Sequence, residues 1–248
     1  VTLVAFAGPS LTREDRARFP EVEWRSPAAA GDLLCLAGAP GLRICLIDGF
    51  FDHRPAPRHK ELLHLLAAGA EIYGAASIGA LRAAEMHSLG MVGIGRIYTA
   101  YASGRLTGDD EVALAHGPVE WDWRPLSIPL VDVRATLCRA VRARVIGANE
   151  ARSLRDAARA IFYVERTWRD VLEQSAVSPS SRRRLEDWLP DGEVSQKRLD
   201  ALACLSAASR RSAPRATNPP AVRTVFLEML ARECGVSLGP PPTPAQEG

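Results

Sequence analysis

Ser77 lies in "EIYGAASIGALRAAE", residues 71–85, where a strand-like stretch runs into a helix-like one. Ala75, Ala76 and Gly79 crowd it with small neighbours. "AASIG" follows the G-x-S-x-G nucleophile-elbow pattern except for Ala75 in the first glycine's place. A tight strand-to-helix turn exposes the serine Oγ, and the next backbone N–H groups point at the same spot. There they can stabilise an oxyanion. A serine that merely caps a helix would leave the same string. The nucleophilic reading therefore needs a base. "RHKE", residues 58–61, supplies two types of base, His59 and Lys60. A desolvated, neutral lysine activates a serine hydroxyl. Glu61 opposes this if it ion-pairs with Lys60 and raises its pKa. With His59 as the base, Asp48 would orient the ring.

Lysine is rare in this chain: Lys60 and Lys197 are the only two, and the other 29 of 31 basic residues are arginines. Arginine stays protonated at any working pH, whereas lysine can lose its proton when buried. Ser10 in "GPS" can contribute an anion-binding turn, but the P-loop frame is missing, so nucleotide binding is not inferred. "TGDDEVALAHGP", residues 107–118, brings Asp109, Asp110 and Glu111 close to His116 in sequence. This block suits either a polar turn or a hard metal, and a polar turn is the commoner use. The catalytic candidates are Ser77, Lys60 and His59. Ser10, Asp48, Glu61, Gly79, Arg82, Asp110 and Glu111 are the binding or orienting candidates. No cofactor or metal enters this reading.

Certain elements must hold these residues. Apolar runs ending in turn signals predict buried strands at residues 3–6, 44–47 and 72–74. "TRED" from Thr12 is a capping box and starts a helix. "RHKELLHLLAAG" carries leucines at helical spacing and stops at Gly69. Strands alternating with helices predict βαβ units and a mostly parallel, Rossmann-like sheet, whose ligands bind beyond the strands' carboxyl ends. Ser10, Asp48 and Ser77 would sit along that edge, and Lys60 would start the helix after Asp48. From about residue 131 the apolar spacing becomes 3.6 throughout, in "VDVRATLCRAVRARVIG", "NEARSLRDAARAIFYVERTWRDVLEQ" and "PPAVRTVFLEMLAREC". The expected organisation is an α/β domain over residues 1–125, a helical region over 126–238 and a Pro-rich, disordered tail over 239–248.

The 248 residues carry a net charge of +2, so neither nucleic acid nor membrane is an expected partner. The charge is unevenly divided: residues 1–125 sum to −3 and the remainder to +5, with basic spots at "SRRRLED" and "SRRSAPR". The apolar runs are too short to span a bilayer, and the N-terminal run lacks the flank of a signal peptide. Five cysteines without C-x-x-C spacing argue against a disulfide framework or zinc site. A cytoplasmic location is expected.

The blocks "AFAGPSL", "GDLL", "LIDGFF", "HKELLHLLAAG", "GAASIGALRAAE", "GMVGIGRIY", "GDDEVALAHGP" and "VDVRATL" occur in that order. Together they resemble the TfuA-like family over most of residues 3–140. The resemblance implies a partner of YcaO-type ATP-dependent enzymes, which replace a backbone amide oxygen by sulfur in ribosomally made peptides. It also implies hydrolysis of a thiocarboxylated ThiS-like carrier to release sulfide. A non-enzymatic adaptor that binds and activates YcaO or the carrier is the competing expectation.

Overall fold

The computed structural model describes residues 2–50, 54–210, 219 and 223–238. The elements are β1 (Leu3–Phe6), α1 (Arg13–Ala17), β2 (Glu23–Arg25), β3 (Arg43–Leu46), α2 (His59–Ala67), β4 (Glu71–Gly74), α3 (Ile78–Met86), β5 (Val92–Gly93) and α4 (Gly95–Ala102). After them come α5 (Leu130–Arg142), α6 (Ala148–Ala160), α7 (Trp168–Gln174), α8 (Pro179–Gly192), α9 (Gln196–Arg210) and α10 (Val225–Glu233). The five strands form one all-parallel sheet in the order β2-β1-β3-β4-β5. The expected mostly parallel sheet and helical C-terminal region are both present. The Thr12 capping box forms with Asp15.

Two strands escaped the sequence pattern. β2 and β5 sit at the sheet edges, and both are short. β2 is largely exposed, so it carries no apolar run to read. The long helical stretch from residue 149 is also interrupted: α6 ends at Ala160 and α7 restarts at Trp168. The tail at 239–248 and most of "SRRSAPR" lie outside the described residues.

Strand alternation divides the core. Val4, Phe6, Ile44, Leu46 and Ile72 face Leu62, Leu65 and Leu66 of α2 and Met86 of α3. Leu3, Ala5, Cys45 and Tyr73 face the other way, onto Ala201, Cys204, Leu205 and Ala208 of α9. The small side chains on α9 let it lie close against the sheet. A helix nearly two hundred residues into the chain thus covers one face of β1, β3 and β4. A separate apolar core joins α5, α6, α7 and α8. Among the described residues no helix is long and apolar enough to cross a membrane.

Candidate functional site

Asp48 follows β3 at the carboxyl edge of the sheet and is buried. Its Oδ2 accepts hydrogen bonds from the Gly8 and Ser10 amides at 2.9 and 3.0 Å, and its Oδ1 accepts from Ser10 Oγ at 2.7 Å. The two turns that follow β1 and β3 are therefore tied together by one carboxylate. Ser10 is spent on Asp48 as an orienting group.

Ser77 sits between β4 and α3 at the N-cap position, only 8% exposed. Its hydroxyl makes no capping hydrogen bond to α3, so the structural use of a serine at such a junction does not account for it. The turn is strained: Ala76 just before it has φ 64°, a left-handed conformation that is costly for a residue with a Cβ. Gly79 makes the close approach possible. A Cβ there would lie 1.7 Å from the Leu46 carbonyl oxygen, so the start of α3 can rest on β3 only with glycine. The Ile78 amide at the first helical position has no partner within the helix, and the positive end of the helix dipole faces the same region.

The other lysine completes the edge. Lys197 is the second residue of α9 and is 2% exposed. Its Nζ lies 3.7 Å from Asp48 Oδ1 and donates to the Val112 carbonyl at 2.9 Å. Its backbone N–H donates to Asp132 Oδ1 at 3.0 Å. Burial pulls the Lys197 pKa down from its ordinary value, against the pull of Asp48 and Asp132. Burial also raises Asp132 to about 6. The start of α9 is fixed by further contacts: Arg198 donates to both carboxylate oxygens of Asp15, and Asp200 accepts from the Ile97 amide at 2.8 Å.

Asp48, Ser77, Lys197 and His116 line one cavity of about 220 Å3, walled by Phe50, Val112 and Tyr163 among others. Arg54 also reaches it and lies over the Phe50 ring at 4.6 Å. His116 Nδ1 is 2.8 Å from the Gly117 carbonyl oxygen, and its ring meets Trp123 edge-on.

The other sequence candidates lie elsewhere. His59 is exposed, with Nε2 2.8 Å from Glu85 Oε2. Lys60 is half-buried beside it, and neither residue lines the Ser77 cavity. The segment before α2 lines this cavity through Asp48, Gly49, Phe50 and Arg54, and the first turn of α2 does not reach it. Glu61 does not pair with Lys60. It is fully buried and accepts from the Arg58 and Gly31 amides at 2.6 and 3.0 Å, and burial raises its pKa to about 7. Arg82 donates to the Pro57 carbonyl and to Glu85. Glu111 is buried and gripped by Arg134 through two hydrogen bonds of 2.8 and 2.6 Å, while Asp110 is half-buried in the same short turn. Among the described residues no group of three His, Cys, Asp or Glu side chains is placed to hold a metal.

The sequence pairs the rare lysine Lys60 with Ser77, whereas the lysine that lines the Ser77 cavity is Lys197. Rarity was the only signal that Lys197 carried. Its position beside Asp48, 149 residues earlier in the chain, is a tertiary fact.

A buried lysine, a serine and a carboxylate thus line a small cavity at the carboxyl edge of an open parallel α/β sheet, the edge where proteins of this class bind their ligands. The model of the TfuA-like protein family matches residues 48–167, which hold Asp48, Ser77 and His116 but not Lys197. Over those residues the chain is similar to the TfuA-like family, as the motif blocks implied. That family is associated with YcaO-dependent thioamidation. No curated protein matches the chain.

Proposed function

We propose that this protein hydrolyses the thiocarboxylate at the C-terminus of a ThiS-like sulfur carrier and supplies the sulfide to a YcaO-type partner. One observation carries the reading: a serine hydroxyl left free of its capping role shares a cavity with a buried lysine whose proton is loosely held. Similarity to the TfuA-like family supplies the substrate class.

The chemistry balances without a cofactor. Ser77 Oγ attacks the thiocarboxylate carbon, and its proton passes to the neutral amine of Lys197. The oxyanion that forms lies near the Ile78 N–H and the N-terminus of α3. The tetrahedral intermediate collapses, the C–S bond breaks, and Lys197 returns the proton to the departing sulfur as HS⁻. Water then attacks the acyl-serine ester, giving a carboxylate and regenerating Ser77. Asp48 positions the ammonium form of Lys197 between the two proton transfers. Lys197 here takes the part expected of Lys60 or His59.

The test mixes the purified chain with a carrier bearing a C-terminal thiocarboxylate and measures free sulfide. Wild type releases sulfide with turnover, and Ser77→Ala does not. A chain that binds the carrier or YcaO without releasing sulfide overturns the hydrolase and leaves the adaptor.

A further inference from the structure

A groove of about 1150 Å3 opens between α4, α5 and α9, away from the Ser77 cavity. Gln196, Leu199 and Asp200 of α9 line it, while Lys197 of the same helix lines the Ser77 cavity. Arg96, Arg105, Arg139 and Arg142 also reach it, and all four are exposed. None of the four forms an ion pair among the described residues. The fifth arginine of the groove, Arg134, is already neutralised by Glu111. Leu199 is 51% exposed at its rim. Arg96 feels the Asp200 carboxylate, and Arg139 lies over the Trp188 ring and donates to the Gly192 carbonyl at 3.2 Å, yet four exposed arginines outside any ion pair still gather beside an exposed leucine in a chain with a net charge of only +2.

Two features decide what the groove suits. First, its charge is spread. On α5 Arg139 and Arg142 stand three residues apart, about 4.5 Å along the helix, and Arg96 and Arg105 come from the start of α4 and the turn after it. Second, the feature that would hold a compact phosphate is taken. The α4 N-terminus opens on the groove, but its Ile97 amide already donates to Asp200 Oδ2, while Gln196 Nε2 donates to Oδ1. Separated guanidinium groups beside apolar surface match carboxylates spaced along a polypeptide.

We propose that this groove docks an acidic segment of a partner protein, with carboxylates on Arg96, Arg105, Arg139 and Arg142 and an apolar side chain over Leu199. The docked segment also rests on the helix that carries Lys197. The proposal is independent of the hydrolase reading, because its readout is binding alone.

The test uses the full chain and a fluorescent twelve-residue peptide of glutamate and leucine, with leucines at helical spacing, against its glutamine counterpart. The expected result is saturable binding of the glutamate peptide and at least about tenfold weaker binding of the glutamine one. The Arg96→Glu/Arg142→Glu double variant should lose about tenfold or more. The control reversal Arg159→Glu/Arg183→Glu, at exposed positions of α6 and α8, should change affinity less than about twofold. Arg142→Gln alone, with a smaller loss, keeps the test if the double variant misfolds. No binding, an equal loss in the control, or displacement by tripolyphosphate at lower concentration than by unlabelled peptide overturns the proposal. The last outcome would assign the groove to a phosphate ligand.

Discussion

Lys197→Met tests the site most directly. Methionine keeps the length and apolar stem of lysine and removes the charge and the base. The structure sets two separate magnitudes. For stability, the loss strips the cation from beside the buried Asp48 and removes its electrostatic pull on the buried Asp132, whose hydrogen bond from the backbone N–H of residue 197 remains. Leaving one partner of a buried pair alone typically costs about 3–5 kcal/mol. The low end is expected here, because Asp48 keeps three hydrogen bonds and Asp132, already raised to about 6, readily takes a proton. For activity, loss of a general base removes about 10²–10⁴-fold of rate. The double variant Lys197→Met/Asp48→Asn separates the two. It removes the orphaned charge and should return stability to within about 1 kcal/mol of wild type, since a buried pair is often replaceable by neutral groups. It should leave sulfide release as low as in the single variant. Urea unfolding and a sulfide assay on the same preparations give both numbers. Normal sulfide release in Lys197→Met, or release that recovers with stability in the double variant, would refute lysine as the base and leave it a structural cation.

Ser77→Ala should fold normally and lose sulfide release by orders of magnitude, because removing the nucleophile disables the whole unit. Lys60→Arg should keep sulfide release near wild type, since Lys60 lies outside the Ser77 cavity; a dead Lys60→Arg enzyme would restore Lys60 as the base. Glu61 makes stability depend on pH. Its folded pKa of about 7 exceeds the ordinary 4.5, so the folded state holds the proton more tightly. Its contribution is full below about pH 4.5 and is lost as pH rises through 7, about 3 kcal/mol in all. Glu61→Gln should flatten that slope in urea unfolding measured at pH 4.5, 5.5 and 7; an unchanged slope would assign it to other groups. Gly79→Ala should cost about 3 kcal/mol or more by thermal or urea unfolding, because its Cβ meets the Leu46 carbonyl oxygen.

Much of the frame was legible along the chain. β1 is a four-residue apolar run, β3 and β4 follow a charged first residue, Arg43 and Glu71, with apolar ones, and turn residues come after each, a pattern that marks buried strands. Thr12 and Asp15 announce α1 because a capping box is a local bond between residues three apart. Asp48 and Ser77 were placed at the carboxyl edge because each directly follows a strand, and parallel βαβ topology puts all such residues on one side. β2 and β5 stayed invisible because their pairing comes from a neighbouring strand and not from their own apolar content. Which lysine lines the Ser77 cavity was decided only by tertiary structure. Lys60 starts the helix that follows Asp48 in sequence, yet no residue of that helix lines the Ser77 cavity. Lys197 reaches Asp48 because the small residues Ala201, Cys204 and Ala208 let α9 lie flat on the second face of the sheet. That packing is a contact between segments far apart in the chain, and no local spacing encodes it.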